Sequence, residues 1–184
     1  ILSFILFLST LFAQNQKVLL FGECDKTSTS KMLNYLNTRS MISLSIDNNI
    51  VISDENISSY PIILICDNDY LKLNNREVLI LGNHLKQGGL LILDNITSDY
   101  TFSIFLDKIL PQSEKQSLSL DKLFLDNPFN ISLGEISLNI EGIFINNKLS
   151  ILAFKNTSLI NYWQEEDEEF FKIGSSIIYY NLTR

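Results

Sequence analysis

The sequence predicts an α/β fold: a mainly parallel sheet of about five or six strands in a three-layer sandwich. Three observations carry this. The runs KVLLFGE, YPIILIC and LLIL are apolar almost throughout, as strands buried on both faces of a parallel sheet are. Between them lie segments whose apolar residues recur at helical spacing. The 184 residues, 46% apolar and 19% charged, suit one packed domain rather than a disordered chain.

Residues 1–13, ILSFILFLSTLFA, are uncharged and almost wholly apolar. A bilayer-spanning helix needs about 20 such residues. This shorter run fits the apolar region of a secretory signal, truncated at its start and cut between Ala13 and Gln14. A buried first strand or helix is the alternative. The expectation is a signal over 1–13 and a single α/β domain over 14–184. The mature chain would then be exported, periplasmic or extracellular, with no stable membrane span.

Lys17–Glu23 is the first buried strand. Ser28–Asn37 puts Met32, Leu33, Tyr35 and Leu36 at helical spacing, with Ser and Thr residues ready to cap. Met41–Ile46 alternates like a half-buried strand and ends in the turn cluster Asp47, Asn48 and Asn49. Tyr60–Cys66 is the next buried strand, and its Pro61 stands at the start, where a missing donor is tolerated. Asn74–Gln87 carries Val78, Leu81 and Leu85 on one helical stripe. Gly88 and Gly89 then form a left-handed helix stop that feeds the strand Leu90–Leu93 directly. Asp99–Leu110 is a helix closed by Pro111. Ile140–Phe154 holds two apolar runs joined by Asn146-Asn147, a two-residue hairpin signal. In QEEDEE, Gln164–Glu169, the acidic residues fit a solvated helix entry. Phe170, Ile173, Ile177 and Ile178 continue at helical spacing. No repeat or linker divides the chain.

A formal net charge of −7 and 14 scattered basic residues argue against nucleic acid or an anionic lipid surface as partner. The five Asn-x-Ser/Thr sequons, at Asn56, Asn95, Asn130, Asn156 and Asn181, signify glycosylation only in a eukaryotic secretory context.

In an open parallel sheet, ligands sit beyond the carboxyl ends of the strands. Asp25, Asp67, Asn68, Asp69, Asp94 and Asn95 fall there, a candidate binding rim with Glu23 beside it. Clustered carboxylates suit acid/base work or a hard cation, but Asp and Asn are also the residues that turn loops and cap helices. No spacing matches a known metal loop, and neither a phosphate-binding glycine loop nor a zinc ligand set is present. Cys24 and Cys66 lack the paired glycines of a nucleophile elbow. The single histidine, His84, lies inside a predicted helix, far from the strand tips. No catalytic residue, metal or cofactor is therefore assigned. Trp163, beside Tyr162, reads as a packing anchor or, if exposed, a sugar platform. Each cysteine follows a buried strand. If those strands are neighbours, the pair is within disulfide distance, and the side chains either bridge or stay free.

YPIILICDN, HLKQGGLLILDN, IEGIFINNKLSIL and NYWQEEDEEFFKIGSSIIYYNLT, in that order, resemble the bacterial domain of unknown function family numbered 4159, over most of residues 17–183. The resemblance implies a glutamine-amidotransferase-like, flavodoxin-like domain, with no established activity, of a kind often non-catalytic and envelope-associated. The family's Gly-His-Gly type turn is here Cys66-Asp67-Asn68, and its Asp-Asp pair is Asp94-Asn95. Its His-Pro-Ile-Phe motif is reduced to Asn127-Pro128-Phe129. Tyr162-Trp163 keeps the tryptophan of a Gly-Trp pair, and Gly174-Ser175-Ser176-Ile177 matches a structural helix motif. The missing histidine turn argues against catalysis. The expected function is a non-catalytic binding or assembly module of the bacterial cell envelope, acting on an envelope protein or small ligand. The alternative is a hydrolase or amidotransferase-like enzyme using the carboxylate rim.

Overall fold

The computed structural model describes residues 16–48, 50–119, 129, 131 and 138–183. The expected signal at 1–13 and residues Asn127 and Pro128 lie outside the described residues. In chain order the elements are β1 (Gln16–Phe21), α1 (Lys26–Arg39), β2 (Leu44–Asn48), β3 (Ile62–Cys66), α2 (Asn75–Lys86), β4 (Leu90–Ile96), α3 (Asp99–Ile109), β5 (Gln116–Leu118), β6 (Ile140–Ile145), β7 (Lys148–Lys155), α4 (Leu159–Gln164) and α5 (Glu168–Thr183).

Among the described residues seven strands form one sheet in the order β2-β1-β3-β4-β7-β6-β5, against the five or six expected. Strands β2, β1, β3, β4 and β7 run parallel. The β6–β7 hairpin turns at Asn146 and Asn147, both at positive φ, and adds β6 and then the three-residue β5 antiparallel at one edge. That short edge strand is polar, so no apolar run announced it.

Alternation along the strands splits the core into two layers. Val18, Leu20, Ile62, Leu64, Leu90, Ile92, Leu152 and Phe154 pack in a cluster with residues of α1, α4 and α5. Leu19, Ile63, Ile65, Leu91, Leu93, Ile151 and Ala153 pack with α2 and α3. Both faces are covered, which is why these strands carry almost no polar residues.

Local chemistry sets the boundaries. Helix α1 begins two residues earlier than the Ser28 expected, because Asp25 caps it. Strand β2 begins at Leu44 rather than Met41, since the Asn37 side chain bonds both the N–H and the C=O of Leu44 at 3.1 Å. Helix α2 opens on a capping box in which Asn74 and Glu77 satisfy each other's backbone N–H. It closes at Gly88, φ +102°, and the Gly89 N–H returns to the His84 carbonyl at 3.1 Å. In the acidic run, Asp167 caps α5 by accepting from the Glu169 and Phe170 N–H groups.

Candidate functional site

Because five strands are parallel, their carboxyl ends share one rim, and a cleft of about 240 Å³ opens there. Its walls include Glu23, Asp25, Asp67, Asp94, Asn95 and Ser158, and among the described residues no Lys or Arg lines it. Of the six rim residues the sequence singles out, Asp25, Asp67, Asp94 and Asn95 line the cleft.

Asn68 and Asp69 lie on the same rim but are engaged outside the lining. The Asn68 amide donates to the Thr97 hydroxyl at 3.0 Å. Asp69 is buried, accepts from the Glu23 N–H at 2.7 Å and pairs with Lys72 at 2.6 Å.

The cleft carboxylates also hold structure. Asp25 accepts from the Thr27 and Ser28 N–H groups and from the Ser28 hydroxyl. The hydroxyl and then the Thr27 N–H hold its pKa below the ordinary carboxylate value. Asp94 is 1% exposed. It accepts from the Leu159 N–H at 2.6 Å, the Ser158 hydroxyl at 2.9 Å and, more weakly, the Ile160 N–H. It therefore satisfies the start of α4 from a strand 65 residues away. Burial pushes its pKa up to about 6, against the lowering effect of the Leu159 N–H.

Asp94 reaches this position because β4 leaves register between Leu93 and Ile96. Asn95, inside the irregularity, has φ +58°, and its amide donates to Asp67 at 2.6 Å. Asp67, φ +51°, is also in the left-handed region that Asn and Asp tolerate better than most residues. A bulge of this kind re-aims side chains at a strand tip.

Strands β1 and β3 are neighbours. Cys24 and Cys66 are joined in a disulfide with Cα atoms 5.4 Å apart, and both line the cleft. Neither sulfur is a free thiol. His84 is buried at the last turn of α2, at the opposite end of the sheet. The rim thus assembles no nucleophile with a histidine base.

Trp163 is 1% exposed and donates its indole N–H to the Phe170 carbonyl at 2.9 Å. Gly174 lets it close on α5, because a Cβ there would stand 2.6 Å from the indole ring. It is a packing anchor. Tyr162 stacks on Phe170 with centroids 3.6 Å apart. Among the described residues no group of His, Cys, Asp and Glu is placed to hold a metal ion, and no helix is long and apolar enough to cross a membrane.

The features missed by sequence reasoning are Ser158 and helix α4. Ser158 caps α4 through the Asn161 N–H, a signal present as Ser before an apolar pair. The distant Asp94 contact has no local signal. The family model described as Domain of unknown function (DUF4159) matches residues 22–182. No curated protein matches the chain.

Proposed function

We propose, for a chain that belongs to the DUF4159 family, a non-catalytic binding or assembly role at the bacterial cell envelope. One observation carries it: most of the reactive side chains of the rim are already committed to the fold. Asp25 caps α1, Asp94 holds α4, and the two cysteines hold each other. The cleft, at about 240 Å³, is also below the roughly 300–1,000 Å³ of typical small-molecule sites. It suits a group offered by a partner, such as a side chain or chain end, better than a whole substrate.

Export is supported by the disulfide, since such bonds persist in oxidising compartments, together with the signal-like apolar residues 1–13. The parallel order β2-β1-β3-β4-β7 supports a flavodoxin-like, class-I amidotransferase-like arrangement, extended by the antiparallel edge. A second function, acid/base hydrolysis, draws support from Asp94 alone, whose pKa near 6 suits proton transfer close to neutral pH.

Two measurements test the proposal. Oxidised protein is assayed on chromogenic amides, esters and glycosides beside Asp67→Asn and Asp94→Asn. No turnover above buffer is expected. Turnover that either substitution abolishes would establish the hydrolase instead. The full-length gene product, expressed in a bacterium and fractionated, should be extracytoplasmic with no free thiols. Cytoplasmic protein with two free thiols would overturn the envelope assignment.

A further inference from the structure

We propose that the Cys24–Cys66 disulfide is a redox-sensitive clasp: it holds the acidic walls of the rim cleft together, and reduction by a dithiol opens them. This deepens the binding role proposed above and rests on it, because the clasp would govern access to the same cleft.

The bond joins the β1–α1 turn to the tip of β3. The residue after each cysteine is a carboxylate facing the cleft, Asp25 after Cys24 and Asp67 after Cys66. Glu23 and Asp94 add two more, and among the described residues no cationic side chain lines the space. Of the cations nearby, Lys72 is drawn to Asp69 at 2.6 Å and reaches Glu23 only at 3.9 Å, and Lys26 reaches Asn48 at 3.5 Å. Like charges confined to one cleft repel, and Asp67 adds a smaller upward push to the Asp94 pKa that burial chiefly raises. The disulfide spans this repulsion covalently.

Other ties limit what reduction can release. The Glu23 N–H stays bonded to Asp69, and the Asn95 amide stays on Asp67. The movable piece is Cys24–Asp25 with the first turn of α1, whose Thr27 and Ser28 amides Asp25 caps.

Access defines the chemistry. Cys24 is half-buried at the cleft surface, whereas Cys66 is 5% exposed. The reductant's thiolate therefore attacks Cys24 Sγ. The S–S bond breaks with its electron pair on Cys66 Sγ, which takes a proton. The reagent's second thiol then displaces Cys24 from the mixed disulfide. The products are two protein thiols and the oxidised, cyclic reagent. Acidic walls favour a neutral dithiol over an anionic monothiol.

The test is hydrogen exchange by mass spectrometry on the full chain, oxidised and in dithiothreitol without denaturant, with Cys24→Ser/Cys66→Ser as a second form of the opened clasp. Exchange at residues 24–29 and 66–68 should rise roughly tenfold, while residues 84–93 change little. About 1 M salt, which screens the charges, or Asp67→Asn should return the rim towards its oxidised rate. The proposal is overturned by an unchanged rim in the reduced protein, by a rise across the whole sheet, by a rise indifferent to salt, or by a disulfide that resists reduction until the protein unfolds. The substrate and fractionation assays do not depend on these results, so failure of the clasp leaves the binding role standing.

Discussion

Gly89 lies against the His84 ring so closely that a Cβ at residue 89 would stand 2.0 Å from Nε2. Gly88 is required for a different reason, its φ of +102°. The helix stop thus uses one glycine for backbone conformation and the other for close approach. Gly88→Ala should cost about 1 kcal/mol, and Gly89→Ala about 1–3 kcal/mol from overpacking. At roughly 2–4 °C per kcal/mol, both losses are visible in thermal melts. His84→Ala should relieve much of the Gly89→Ala penalty in a double-mutant cycle. Strict additivity of the two changes would sink the contact explanation.

Asp94 should make stability fall as pH rises. Its folded pKa of about 6 lies above the ordinary carboxylate value of 3.8, so the folded state holds a proton that the unfolded state has lost. The benefit is fully present below about pH 3.8 and is gone above about 6, an effect of up to roughly 3 kcal/mol. Asp94→Asn should flatten this slope, measured as denaturant unfolding from pH 4 to 7. An unchanged slope would show that Asp94 is ionised throughout.

His84 should act with the opposite sign. Burial holds its imidazole below the ordinary value of 6.5, and among the described residues Nε2 has no hydrogen-bond partner. The unfolded chain therefore binds the proton more readily, and stability is lost as pH falls below about 6.5. His84→Gln should remove that loss. The two residues oppose each other in the wild type, and single variants separate them. If His84→Gln steepens the acid loss, the buried neutral histidine is refuted.

Lys155 should matter more than a surface lysine. It is 9% exposed and bridges Glu141 at 2.5 Å and Asp99 at 2.6 Å. Lys155→Met leaves Glu141, largely buried, with only the distant Lys115 at 3.9 Å and should cost about 2–3 kcal/mol, somewhat less than a fully buried pair. Glu141→Gln in the same chain should recover part of it. A loss below about 0.5 kcal/mol in chemical denaturation would place Lys155 with ordinary surface pairs.

The elements with uniform texture were legible. Tyr60–Cys66 and Leu90–Leu93 contain the observed strands or fall within them, and Asn74–Gln87 brackets α2 with its caps, because apolar runs and helical stripes are local signals. The hairpin at Asn146-Asn147 was legible because its turn demands positive φ. Strand β5 was not, since pairing with β6 supplies what its polar residues do not. The rim was legible as a place, since parallel strands bring their ends together. The duties of its residues were only half so. Asp25 could have been recognised as a cap by its position before KTSTS, whereas the tie from Asp94 to Leu159 joins segments that only the folded sheet brings together.

The position of β7 bears on how the chain is made. Strand β4 receives its second neighbour only when residues 148–155 arrive, because the sheet places β7, not β5 or β6, beside it. Synthesis delivers the N-terminal portion first. Until the hairpin docks, one side of β4 presents unpaired N–H and C=O groups along an apolar strand, a template for another chain. A nascent polypeptide lacking residues 140–155 should therefore depend on a holding chaperone and aggregate without one. The hairpin that extends the sheet is also the seal that ends its vulnerability to self-association.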